Sequence, residues 1–174
     1  MTTFIHPFTF GDRTQSDLLG GKGANLAEMV KIGLPVPPGF TITTQACREF
    51  LLNGKIPESL AAELEAALSN LERELGKEFG NPAKPLLVSV RSGAKFSMPG
   101  MMETVLNVGM TAEVAEAMGL QSGNPKFAWD CYRRFVDMYG RIVCDVPNED
   151  FHKIASRVLS QFNAKTIVDL EVDG

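Results

Sequence analysis

Leu18-Leu19-Gly20-Gly21-Lys22-Gly23-Ala24-Asn25-Leu26-Ala27-Glu28-Met29, followed by Gly33-Leu34-Pro35-Val36-Pro37-Pro38-Gly39-Phe40, is the stretch on which the fold turns. Glycines let backbone approach backbone or ligand closely, and a helix that starts beside them offers N–H groups and partial positive charge to an anion. Lys22 adds a point charge. The spacing predicts a Gly-rich bend, then a helix over 24–32 on which Leu26, Met29 and Val30 share one face and which stops at Gly33. Leu34 to Gly39 holds three prolines, so it reads as a stiff, non-helical connector. The glycine spacing departs from the G-x-x-x-x-G-K-[ST] phosphate loop, and in isolation an ordinary turn before a helix accounts for it better than a phosphate site does.

Outward from this stretch, Thr2 to Phe10 suits a strand entering a turn at Gly11-Asp12, and Phe40 to Thr43 suits a second strand. Thr43 or Thr44 can cap a helix that Asn53-Gly54 ends. Leu60, Leu64, Leu68, Leu71, Leu75 and Phe79 recur at helical spacing, predicting a long amphipathic helix from Pro57, stopped by Gly80-Asn81-Pro82. Leu86-Leu87-Val88-Ser89-Val90-Arg91 reads as a buried strand with an arginine at its tip. That guanidinium suits a surface carboxylate or, through its fork, a phosphate. Ser92 to Thr104 has neither period and combines glycines, hydroxyls and three methionines, the composition of an ordered functional loop. Three helices follow, capped or opened at Thr111, Pro125 and Asn148.

The 174 residues carry 17 Lys and Arg against 21 Asp and Glu, a net charge of −4. That balance argues against nucleic-acid binding, which draws its affinity from clustered cations. No stretch approaches the length of a membrane span. Cys47, Cys131 and Cys144 are odd in number and lack metal-ligand spacing, which favours the reducing cytosol and predicts neither disulfide nor zinc site. His6 and His152 have no catalytic or metal-binding neighbours at a telling spacing and read as structural.

The Gly-rich stretch, the 86–104 segment LLVSVRSGAKFSMPGMMET, and later Gly123-Asn124-Pro125-Lys126-Phe127-Ala128-Trp129-Asp130 with Tyr132-Arg133-Arg134-Phe135 resemble the pyruvate, phosphate dikinase family, in order and over nearly the whole chain. Related phosphoenolpyruvate synthases share the V-R-S core but continue differently. The resemblance implies an α+β architecture: an incomplete ATP-grasp-like nucleotide-binding domain over 1–111, and a helical insertion subdomain over 112–174 that ends within an element.

By the same resemblance Lys22 and Arg91 hold ATP phosphates, and Gly100, Met101, Met102, Glu103 and Thr104 belong to the loop that covers them. Magnesium ligands, a phosphohistidine domain and a pyruvate-binding domain are expected on parts of the family's chain that lie beyond these residues. The implied partners are therefore ATP and those remaining domains, and the chain by itself is expected to be inactive. A catalytically silent module that docks the missing half is the other reading.

Overall fold

The computed structural model describes residues 3–92 and 104–170, and its contacts divide the chain into two compact units. The first comprises residues 1–77 with 92–102; the second comprises 78–91 with 103–174. Mixed helix and short strand pairs make the chain α+β. The second unit joins residues 78–91 to the segment from 103 onward, because the strand over 88–91 pairs with that over 104–108, which packs on the helix over 125–142.

In the first unit, β1 (Ile5–Pro7) pairs antiparallel with β2 (Phe40–Ile42), matching Ile5 with Ile42 and Pro7 with Phe40. Helix α1 (Ser16–Lys31) starts earlier than the sequence predicts and runs through the Gly-rich stretch, interrupted only at Gly20. Its buried face is not the one that Leu26, Met29 and Val30 share. Leu19, Gly20, Gly23, Ala24 and Ala27 are buried, while Met29 is 41% exposed. The reason is close approach: a Cβ on Gly23 would lie 2.8 Å from both Cγ2 and Oγ1 of Thr41 on β2, so small residues, not large ones, must line this contact.

Helix α2 (Thr44–Asn53) ends at Gly54 in the left-handed conformation, as the sequence predicts. Helix α3 (Glu58–Leu75) is shorter than expected. Gly76 stops it with φ +62° and an N–H donated to the Glu72 carbonyl, so Phe79 leaves the helix and becomes part of a strand. Glu63 on α3 accepts the backbone N–H groups of Phe4 (2.7 Å) and Ile5 (3.1 Å) and the Ser59 hydroxyl (3.0 Å), which ties the start of β1 to the helix. Burial pushes its carboxyl up, but those donors and nearby His6 outweigh it and hold the group below its ordinary range. His6 stacks on Phe10 at 3.9 Å, a packing contact that fits its structural reading.

In the second unit, β3 (Glu78–Phe79) runs parallel to β4 (Pro85–Leu86), and β5 (Val88–Arg91) pairs antiparallel with β6 (Thr104–Val108). The apolar run at 86–91 is thus broken at Leu87. Of these residues Leu86 is buried and Val90 is 53% exposed; among the described residues β5 pairs with β6 alone and lies in no larger sheet. Helices α4 (Ala112–Ser122), α5 (Pro125–Ile142) and α6 (Asn148–Gln161) follow. Met110, Val114 and Ala115 form the core against Leu87, Met118, Trp129, Cys131, Tyr132 and Phe135. Cys131 is half-buried there, and burial raises its thiol pKa, the environment of an inert cysteine.

Thr43 and Thr111 occupy the N-cap positions of α2 and α4 and do different work. Thr111 accepts a hydrogen bond from the Val114 N–H at 3.2 Å, whereas the buried Thr43 hydroxyl has no hydrogen-bond partner among the described residues. Thr111→Val should therefore cost about 1 kcal/mol, the usual worth of a cap. Thr43→Val keeps the shape and removes an unsatisfied hydroxyl, so it should be neutral or stabilising by up to about 1 kcal/mol. Urea unfolding midpoints of the two variants check the contrast.

Candidate functional site

The site is built around Gly20. Its φ of +69° and ψ of 165° belong to a region open essentially to glycine alone, and they break α1 after Leu19. An intact helix would use the Asp17 carbonyl for its own ladder. Instead that oxygen accepts the Thr44 hydroxyl at 2.5 Å and the Arg48 guanidinium at 3.3 Å, both from α2. The helix restarts beyond the break, which puts Lys22 in the first turn, where N–H groups characteristically lack a carbonyl one turn back. A first turn with its dipole end and a cation together is a device for holding an anion.

Lys22 is half-buried and has no hydrogen bond or ion pair among the described residues. Some cations of the chain are held in ion pairs, Lys31 with Asp12, Arg133 and Arg134 with Asp130, Arg141 with Asp137 and Lys153 with Asp150, whereas Lys55 and Lys84, like Lys22, have none among the described residues. Arg91 is also without such a partner. It is the last residue of β5, exposed, and register-paired with Thr104, the first residue of β6. The ribbon therefore brings Arg91 and Thr104 side by side. Gly100, Met101, Met102 and Glu103 lie outside the described residues.

Lys22 belongs to the first compact unit, and Arg91 and Thr104 to the second. A cavity of about 290 Å³ in the first unit, walled by Ile5, Phe40, Leu71, Glu63 and Glu74, holds no cation and presents two carboxylates, so it repels a phosphate. Sequence reasoning missed the Thr44 and Arg48 contacts to Asp17, and no local signal could reveal them, since they join residues 27 and 31 apart.

A family model described as the pyruvate phosphate dikinase AMP/ATP-binding domain matches residues 16–65 and 49–170. The chain belongs to the pyruvate, phosphate dikinase family. It is 44% identical over 174 residues to the pyruvate, phosphate dikinase of Clostridium symbiosum, covering 99% of this chain and 20% of that protein. To the chloroplastic enzyme of Flaveria trinervia it is 48% identical over 173 residues, covering 95% and 18%, and to the Rhizobium meliloti (strain 1021) dikinase 50% over 159 residues, covering 88% and 18%. The chain thus spans about a fifth of the length of these dikinases. Its matched region is their AMP/ATP-binding part, and it includes Gly20, Lys22 and Arg91.

Among the described residues no three His, Cys, Asp or Glu side chains gather as a metal site. Among the same residues, no helix is long and apolar enough to cross a membrane.

Proposed function

We propose that this dikinase segment binds ATP through its phosphates, with Lys22 and Arg91 each supplying a cation, within the first part of an ATP-grasp-type domain whose helical insertion starts near residue 112. The observation that carries the reading is Lys22, half-buried and unmatched in the turn that Gly20 opens. Phosphoryl transfer depends on charge neutralisation and positioning rather than on covalent help from side chains, and these residues supply those two things. In the complete enzyme the pyrophosphoryl group of ATP would pass to a histidine on another domain, and from there serve the making of phosphoenolpyruvate from pyruvate. Magnesium enters with residues outside this set. A cytosolic setting suits three unpaired cysteines.

Two charge-assisted contacts contribute about 1.5–3 kcal/mol each, against about 4 kcal/mol for millimolar binding, so the chain should bind magnesium-ATP near millimolar strength. Calorimetric titration should show saturable binding that Lys22→Ala and Arg91→Ala each weaken about tenfold without moving the melting midpoint. Full binding by both variants would refute the assignment of the cations.

A further inference from the structure

The end of α2 carries the pair Asn53-Gly54. Asn53-Gly54 is the one Asn-Gly pair in the sequence; the other asparagines precede Leu, Pro, Val, Glu or Ala. Both residues are exposed, and the Asn53 carboxamide has no hydrogen-bond partner among the described residues. Glycine leaves the following backbone nitrogen uncrowded, so it can reach the asparagine side chain.

In the folded helix that nitrogen is engaged, its N–H bonded to the Phe50 carbonyl at 2.8 Å. The lock is weak. Ala46, near the other end, is the buried residue of α2, whereas Phe50, Leu51 and Leu52 are 46%, 75% and 83% exposed. A last turn whose large side chains are this exposed opens at small free-energy cost, as fraying helix ends do.

We propose that Asn53 is a site of spontaneous backbone-assisted deamidation, gated by fraying of the last turn of α2. The Gly54 nitrogen, losing its proton to water, attacks the Asn53 side-chain carbonyl carbon. The C–N bond of the carboxamide breaks, ammonia leaves, and a five-membered succinimide forms. Water then adds to either carbonyl of the ring and opens it to aspartate or isoaspartate. Every atom is supplied by the chain and water, and no oxidant or reductant is involved. The product alters α2 in two ways: it sets a carboxylate at the negative end of the helix dipole, and isoaspartate lengthens the backbone at the turn that Gly54 closes.

The test is incubation of the full chain at mildly alkaline pH, tryptic digestion, and mass analysis of the 49–55 peptide released between Arg48 and Lys55. The expected result is the mass difference between carboxyl and carboxamide at Asn53, split into two chromatographic forms. Its rate should fall within about tenfold of that of the free heptapeptide and exceed that of every other asparagine. Gly54→Ala should slow it about tenfold by crowding the nitrogen. Asn53→Gln, which keeps the glycine but requires a six-membered ring, should suppress it. An unchanged 49–55 mass while the heptapeptide converts would overturn the proposal, as would earlier conversion of another asparagine or indifference to both variants.

Discussion

Gly109→Ala should destabilise the second unit by about 3–5 kcal/mol. Gly109 joins the ribbon to the helices, between Val108 of β6 and Met110 of the core, and holds φ at +106°. An L side chain in that region costs about 1–3 kcal/mol by itself. The added carbon would also lie 2.6 Å from the Leu86 carbonyl oxygen and 2.9 Å from the Phe79 ring. A ring can shift; a backbone oxygen beside a buried Leu86 cannot do so without moving β4, and overpacking of this kind costs about 1–3 kcal/mol more.

Gly123 provides the comparison. It also has positive φ, +64°, but nothing lies within 4 Å of where its Cβ would be, so Gly123→Ala bears only the backbone strain. Trp129, the sole tryptophan, packs on the same core, so its fluorescence reports unfolding of this unit directly. The Gly109 variant should lose more than about 10 °C in melting midpoint and the Gly123 variant markedly less. Equal losses would mean that the contact with Leu86 relaxes freely.

What the sequence revealed and what it concealed divide along a physical line. Local signals were legible: Asn53-Gly54 ends α2, Thr111 caps α4, and Pro125 opens α5, because each depends on bonds within one turn. Signals that depend on a neighbour were not. Met29 shares an apolar face with Leu26 and Val30 by period, yet the face of α1 that packs is the one with Gly23 and Ala27, because β2 comes too close for larger residues. Likewise the leucine period ran to Phe79, but a period records only which face is apolar, while Gly76 sets where the helix stops. At the candidate site, Lys22 and Arg91 were visible as residue types. The interruption that gives Lys22 its place was not, because Gly20-Gly21 is equally consistent with a loop before a helix.

That interruption makes Gly20→Val the second substitution of large effect, and it separates folding from charge at the site. Valine is β-branched, and at φ +69° and ψ 165° its Cβ meets the backbone on both sides, so the position either strains or refolds as continuous helix. The expected cost is about 3 kcal/mol, at the upper end for residues held in such regions. Refolding would bring no relief: the Asp17 carbonyl, now bonded to Thr44 and Arg48, would be claimed by the helix ladder, and α2 would lose two of its ties to α1. Far-UV circular dichroism melts should therefore fall for Gly20→Val, and magnesium-ATP binding should fall with them. Lys22→Ala must behave differently, holding the melt to within about 0.5 kcal/mol, as removal of a cation without an ion pair should, while weakening ATP. If Gly20→Val melted like the wild type and still bound ATP, the broken helix would be incidental to the site, and Lys22 would owe its position to the ordinary run of α1.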